Sequence, residues 1–232
     1  MGRPLESVPM PGSTARRALL RFLCLLALLP AAAFARDTLA EYTLDPVHTR
    51  VMFAISHAGF SNALGTVSGS TGTVVFDPDD WTRARVDVRV PIARADLGDA
   101  DWNKATLAKS LLDAEDHPEA RFVSTRVEPV DATHARVHGD LTLRGVTREV
   151  VLDAMLNAAK RHPMPPFRRT VGFSATTTLS RADFGITAWK SVIGDEVELR
   201  IEAEATYDGK ADDDVPTADT LPSPPPPPEP TP

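Results

Sequence analysis

The side chains of this sequence that could do chemistry are its histidines. His57 ends an alternating apolar segment that begins at Val51, so an imidazole stands at the end of a hydrocarbon strand face. It could be a structural polar group at the rim of the fold, a contact for a ligand, a metal ligand or a proton-transfer group. His134 and His138 also share a strand face, but no third ligand follows at a recognised metal spacing. We therefore expect no metal site.

Signatures of hydrolytic enzymes are absent from the sequence. There is no G-x-S-x-G motif, and no serine stands in a local signature with a histidine and an acid. Glu202 and Glu204 share a strand face, as a glycosidase pair could, but that face is charged and is predicted to meet solvent. The sequence thus gives no positive sign of catalysis.

The first 35 residues are typical of an export signal. Three arginines precede the apolar run FLCLLALLPAAAFA, and Ala33 and Ala35 have the spacing of a signal-peptidase site. We predict cleavage after Ala35 and a periplasmic mature protein, with either Met1 or Met10 as the start. Because the apolar run is too short to span a bilayer, we expect no integral membrane span in the mature protein.

The only cysteine, Cys24, lies within this signal. The predicted mature protein therefore has no thiol for a disulfide, a metal site or a nucleophile. Residues 1–35 contain four arginines and one glutamate, so cleavage changes the net charge from −7 to −10, with 21 basic against 31 acidic residues. A nucleic-acid partner is not expected for such an acidic chain.

Residues 208–232 have the composition of a disordered, proline-rich tail. Nine of the last seventeen residues are proline, and the segment has too little apolar surface to offset the entropy of ordering it. An extended polyproline geometry would make it either a spacer or a docking peptide.

Residues 36–207 are predicted to form one all-β domain. Apolar and charged side chains alternate clearly in residues 85–92, and the same pattern recurs in residues 136–143 and 197–207. The segment from Val51 is another predicted strand. Four more are predicted, over residues 65–76, 121–127, 146–156 and 170–179, which gives about eight in all. Antiparallel strands with one apolar face must pair as two sheets or close into a barrel.

One helix is predicted, over residues 99–118. Asp99 or Asp101 is its candidate N-cap, and Pro118 limits its other end.

The inward face of the predicted barrel mixes large and small side chains. Small residues such as Gly139, Ala154, Ala175 and Ala203 could leave a narrow channel along the lumen that no side chain fills. The helix or neighbouring phenylalanines could instead fill it. If such a channel exists, its walls are hydrocarbon and any ligand in it must be apolar.

A set of ordered motifs extends over nearly the whole predicted domain. They are Asp45, His48, Thr49, Val51, Phe53 and His57; Gly65; Gly72 with Phe76-Asp77-Pro78; Gly139-Asp140-Leu141-Thr142; Gly145-Val146-Thr147-Arg148; Arg181-Ala182-Asp183-Phe184-Gly185-Ile186; and Asp195-Glu196-Val197. In these motifs the sequence resembles the YceI family of secreted, lipocalin-like polyisoprenoid-binding proteins. The resemblance implies an antiparallel eight-stranded lipocalin-like barrel with one helix covering an end. It also implies a long-chain ligand in the lumen, such as a polyisoprenoid, an isoprenoid quinone or a fatty amide.

We therefore expect an exported, non-catalytic protein that transports, stores or protects a long-chain apolar lipid and needs no other cofactor. The residues predicted to contact the lipid are Val51, Phe53, Ile55, His57, Val88, Val90, Trp102, Leu111, Leu112, Leu141, Leu143, Phe173, Phe184, Leu199 and Ile201. Two alternatives stay open: an enzyme that acts on an isoprenoid-like lipid through His57, and an interaction module that uses the proline-rich tail. A homodimer, and a membrane or protein partner for lipid delivery, also stay open.

Overall fold

The computed structural model describes residues 39–207 together with Gly2 and Gly209. Apart from those two glycines, the predicted signal (residues 1–35) and the predicted tail (residues 208–232) lie outside the described residues. The described residues form eleven β-strands, one α-helix and three short 3-10 turns. The strands are β1 (Ala40–Leu44), β2 (Arg50–His57), β3 (Ser61–Ser68), β4 (Thr71–Phe76), β5 (Arg85–Pro91), β6 (Ala95–Asp96), β7 (Glu119–Pro129), β8 (His134–Leu143), β9 (Val146–Arg161), β10 (Arg169–Ser180) and β11 (Ile193–Tyr207).

These strands form a closed antiparallel barrel. The order β1-β4-β5-β7-β8-β9-β10-β11 returns to β1 through the β1–β11 pairing, which gives eight strands around the barrel. The other three strands lengthen strands of this barrel: β2 follows β1, β3 precedes β4, and β6 follows β5. Of these, β2 pairs with the first part of β11, β3 pairs with β2, and β6 pairs with β3. The predicted eight-stranded lipocalin-like barrel is thus confirmed.

Three of the eight strand positions are interrupted. The breaks are residues 45–49 between β1 and β2, residues 69–70 between β3 and β4, and the 3-10 turn Ile92–Arg94 between β5 and β6. Sequence alternation predicts one continuous strand over residues 65–76, and this prediction is wrong at Gly69. That glycine has φ +80, a left-handed conformation that interrupts the strand and that other residues rarely adopt.

Alternation along β5 places its apolar and charged side chains on opposite faces of the barrel. Val86, Val88 and Val90 face the lumen. Asp87 faces outward, where its carboxylate accepts two hydrogen bonds, 2.9 and 2.6 Å long, from the guanidinium of Arg121 on β7. The lumen face is therefore hydrocarbon even in a strand that carries three charges.

Aromatic rings fill the end of the lumen near the β4–β5 connection. The ring of Phe76 packs edge-on against Trp81, with 5.0 Å between centroids, and against Phe173 at 5.1 Å. Phe76 and Trp81 are buried. We call this the inner end of the lumen, because the segment between β5 and β7 covers the other end.

The helix, α1 (Ala100–Leu107), lies in that covering segment. Asp99 is its N-cap, since its carboxylate accepts hydrogen bonds from the backbone N–H groups of Asp101 and Trp102. The predicted extension to residue 118 is wrong, because Ala108 is already extended and the chain then turns back on itself. The N–H of Leu112 donates to the carbonyl of Thr106, which brings Leu111 and Leu112 to the lumen instead of a helix surface.

No helix in the part of the chain that the structure describes is long and apolar enough to cross a membrane.

Candidate functional site

The lumen contains a cavity of about 670 Å³. This volume lies in the range of about 300–1,000 Å³ that is usual for small-molecule sites. Its wall is almost wholly hydrocarbon, contributed by the barrel strands and by the covering segment. Such a wall can accept an apolar molecule but offers few partners to a polar one.

All fifteen residues predicted to contact a lipid border this cavity. On the barrel wall these are Val51, Phe53, Ile55, His57, Val88, Val90, Leu141, Leu143, Phe173, Leu199 and Ile201, and in the covering segments they are Trp102, Leu111, Leu112 and Phe184. The structure therefore brings them together around one space. That they bind a lipid stays a prediction.

Small lumen residues and an aromatic–glycine pair leave space between the opposite walls of the barrel. Ala154 on β9 pairs with Ala175 on β10, and both border the cavity. On β7, the Phe122 ring lies where a side chain on Gly139 would be: a Cβ there would come within 2.5 Å of it. The small residues and the folded-back ring therefore leave a cavity between the mouth and the aromatic rings of the inner end.

The helix-covered end of the lumen is its mouth, where the wall becomes aromatic and polar. The rings of His57 and Trp102 lie 5.4 Å apart between centroids and are inclined at 45°. Among the described residues, neither ring nitrogen of His57 has a hydrogen-bond partner. An imidazole without a protein partner at the mouth has both nitrogens free to bond to a ligand or to water. This arrangement does not support the structural interpretation of His57 as a bonded group at the rim.

Arg181 is a residue of the site that the sequence reasoning missed. It borders the cavity yet is only 5% exposed, and it lies at the start of the 3-10 turn Arg181–Phe184. Its guanidinium donates to four backbone carbonyls: Gly194 (2.7 Å), Ala188 (2.8 Å), Ile186 (3.0 Å) and Ile193 (3.0 Å). The signal that could have revealed it is an arginine at the head of the Arg181–Ile186 motif, whose apolar residues Phe184 and Ile186 are buried.

The bonds of Arg181 fix the loop that precedes β11. All four carbonyls belong to residues 186–194, so one side chain holds the whole segment against the barrel. The interaction consists of charge-assisted hydrogen bonds to backbone, which are stronger than neutral ones. The shape of the mouth on this side is therefore determined by Arg181.

Arg144 fixes the mouth from another side. It lies in the two-residue turn between β8 and β9, where both Arg144 and Gly145 have positive φ. Its guanidinium donates to the carbonyls of Gly185 (3.2 Å) and Lys109 (3.0 Å). It thus joins the β8–β9 turn, the 3-10 turn and the segment that follows α1.

The paired histidines of β8 lie away from the cavity. His138 faces outward, with its Nε2 3.1 Å from a carboxylate oxygen of Glu128. His134 is at the start of the strand, with its ring 3.0 Å from Asp131. Neither histidine borders the cavity, so the two cannot act with His57 on a molecule in the lumen.

Comparison with known proteins relates this chain to one family. Residues 42–205 match the family model of the YceI-like domain. A UPF0312 protein of Pseudomonas savastanoi pv. phaseolicola is 38% identical over 149 residues, which are 63% of this chain and 77% of the relative.

Two solved structures have the same fold. The crystal structure of BcnA from Burkholderia cenocepacia matches with a TM-score of 0.63 and 25% identity, over 70% of this chain and 99% of BcnA. A polyisoprenoid binding domain from Saccharophagus degradans, implicated in plant cell wall breakdown, matches with a TM-score of 0.54 and 15% identity, over 73% of this chain and 99% of that domain.

Proposed function

This chain belongs to the YceI-like domain family, and on that premise we propose that it is a non-catalytic binding protein that holds one long apolar chain inside its barrel. The observation that carries the proposal is the hydrocarbon cavity, which is bordered at the mouth by Trp102 and at the inner end by Trp81. Strand β5, whose Val86, Val88 and Val90 border the cavity, has seven residues, which is about 24 Å at 3.4 Å per residue. A cavity that is long and apolar suits a chain better than a compact solute.

The ligand class that fits is a polyisoprenoid, an isoprenoid quinone or a fatty amide. Each has a long hydrocarbon part for the lumen and at most a small polar group, which His57 could contact at the mouth. Arg181 offers little to a charged head group, because four of its five N–H donors already bond to carbonyls. The binding activity in the name of the S. degradans domain supports a polyisoprenoid among these candidates.

The expected affinity is high enough for the ligand to survive purification. Burial of each CH₂ contributes about 0.8 kcal/mol, so a chain of about forty carbons would nominally gain about 30 kcal/mol. That figure exceeds the practical ceiling near 20 kcal/mol, and the ordering of the chain removes much of it. What is left is still compatible with a tightly held ligand.

The proposal includes export to the periplasm, where a lipid needs shielding from water between membranes. It is supported by the predicted signal of residues 1–35. Amino-terminal sequencing of protein from a periplasmic fraction should give Arg36 as the first residue. Recovery of an intact amino terminus in the cytoplasm would contradict this part of the proposal.

The test of binding is organic extraction of the purified native protein followed by mass spectrometry. Ala154→Phe should reduce the lipid recovered per protein, because the new ring fills the lumen beside Ala175. Met155→Phe is the matched control, since the next residue along β9 is 40% exposed on the outer face. An empty wild-type protein, or equal lipid in both variants, would contradict the proposal.

A further inference from the structure

Exposed apolar side chains surround the mouth. Phe60 is 92% exposed, Trp189 63%, Trp102 43% and Val192 38%. Trp102, Trp189 and Val192 also border the cavity, so the exposed apolar surface continues into the lumen. We call these four residues the mouth rim. Large apolar residues that are grouped and exposed mark an interaction site more often than scattered ones do.

The loops that carry most of the mouth rim are tied to each other. The N–H of Ala58 donates to the carbonyl of Val192 at 2.5 Å, which joins the β2–β3 turn to the loop before β11. Within that loop the N–H of Val192 donates to the carbonyl of Trp189 at 2.9 Å. Arg181 binds the carbonyls on either side of this turn, at Ala188 and Ile193. The mouth rim is therefore preorganised rather than formed by chance exposure.

The charges of the same loops point to the kind of partner. Residues 57–62 and 186–193 contain no aspartate or glutamate, although the chain has 32 acidic residues and a net charge of −7. Lys190, between Trp189 and Val192, carries their only fixed charge. These two loops are apolar, aromatic and free of carboxylates, and they complement a lipid layer that has anionic groups outside and hydrocarbon beneath. Trp102 differs from the rest of the mouth rim, because the exposed carboxylates of Asp99 and Asp101 lie beside it at the start of α1.

We propose that the mouth rim docks on the surface of a phospholipid bilayer, with Phe60 and Trp189 in the interface and Lys190 at the phosphate level. Tryptophan prefers this interface because its ring is apolar and its N–H can bond to water or head groups. In this orientation the mouth faces the acyl chains, and a lipid can pass into the lumen without crossing water. The inference rests on the proposed function and assigns to it a partner and a surface.

The experiment measures binding of the mature protein, residues 36–232 purified from the periplasm, to vesicles of phosphatidylethanolamine and phosphatidylglycerol by co-sedimentation. The double variant Phe60→Ser/Trp189→Asn should bind at least about tenfold more weakly, because it removes two interfacial aromatic side chains. Asparagine is chosen at position 189 because Trp189 has φ +57, which asparagine tolerates. Lys190→Glu should weaken binding to these vesicles and change little with pure phosphatidylcholine.

Phe167→Asn is the matched control. Phe167 is also an aromatic residue with φ +57 and is 43% exposed, but it lies in the β9–β10 connection, away from the mouth. This variant should bind vesicles like the wild type. If Phe167→Asn loses binding while the mouth-rim variant keeps it, the docking surface is at the other end and the inference is overturned.

Lipid extraction from the same preparations separates this inference from the proposed function. Wild-type protein that contains lipid but ignores vesicles overturns the docking and leaves the binding function standing. Vesicle binding that depends on the mouth rim in a protein without lipid supports the docking and contradicts the binding function. The remaining possible occupant of the mouth rim is a second copy of this chain, which light scattering would detect. If the wild type is a dimer that does not bind vesicles, and the mouth-rim variant is a monomer, the inference is overturned.

Discussion

The ring of Phe53 on β2 lies in the space that a side chain on Gly65 would occupy on β3. The two residues are direct partners in the strand pairing, and a Cβ placed on Gly65 would overlap with the ring. A large aromatic residue on a narrow barrel wall can thus fold against its neighbour instead of projecting across the lumen. This pair helps to determine the free width of the cavity.

Substitution of Gly65 should therefore narrow the lumen. In Gly65→Ala the new methyl group displaces the Phe53 ring toward the cavity, and we expect a loss of about 1–3 kcal/mol in the free energy of unfolding, as is typical of overpacking. Bound lipid per protein should fall as well. Urea denaturation and lipid extraction measure the two effects.

Gly172→Ala is the control for this prediction, because a Cβ there meets only one atom, at 4.0 Å. The double variant Gly65→Ala/Phe53→Leu should recover both stability and lipid content. An unchanged Gly65→Ala protein would mean that the ring has another position available at no cost.

Arg181→Lys should destabilise the protein although it keeps the charge. A single ammonium cannot replace the four guanidinium bonds, and each buried carbonyl left without a donor costs about 1–3 kcal/mol. We expect a total loss of about 3 kcal/mol or more in urea denaturation. Arg200→Lys, at an exposed pair with Glu202, should change stability by less than about 0.5 kcal/mol. Equal effects of the two substitutions would disprove the role given to Arg181.

Asp131 should contribute acid-sensitive stability to the β7–β8 turn. The backbone N–H of Thr133 and the ring of His134 hold the pKa of this carboxyl at about 2, below its ordinary value of 3.8. Because the pKa of Asp131 is lowered by folding, its contribution to the free energy of unfolding is complete at pH values above the ordinary pKa of 3.8. That contribution is lost as the pH falls toward 2. Asp131→Asn should be less stable than wild type at neutral pH, and the difference should shrink between pH 3.8 and about 2.

Thermal unfolding across that pH range measures the effect of Asp131. Asp140→Asn is a suitable control, since this carboxylate is exposed on the outer face of β8. A difference that is constant with pH would show that the loss comes from packing and not from the ionised carboxylate.

His57→Phe separates ligand contact from catalysis. Phenylalanine keeps a ring beside Trp102 but removes both nitrogens, so affinity for a fluorescent fatty-chain probe should fall by up to about tenfold, the value of one hydrogen bond. Mass spectrometry should show the same lipid species in wild type and variant. A chemically altered lipid that appears only with His57 present would favour the enzymatic alternative.

The number of strands around the barrel and the direction of their side chains could be predicted from the sequence, although β1 (Ala40–Leu44) was not among the predicted strands. Alternation is a local property of the chain, so residues such as Val88, Val90, Leu199 and Ile201 could be assigned to the inner face from their neighbours alone. The same reasoning placed His57 at the end of that face.

The end of α1 at Leu107 could not be predicted in this way, because it depends on what the segment packs against, whereas the break at Gly69 comes from the left-handed conformation of that glycine. Continuous apolar patterning in residues 65–76 and 99–118 is compatible with an unbroken strand and a long helix. Tertiary contacts, such as the turn that brings Leu111 and Leu112 to the lumen, override that local preference.

By itself, the sequence pattern determined an exterior of charge, an interior of hydrocarbon and about eight strand segments, and the resemblance to the YceI family added the barrel. Only the tertiary structure decided that this interior is a cavity with a mouth, since opposite walls are far apart in the chain and their separation is set by barrel closure. It also decided the roles of Arg181 and of Phe53 against Gly65. Those roles depend on partners from other elements of the fold, and no spacing within a single strand encodes them.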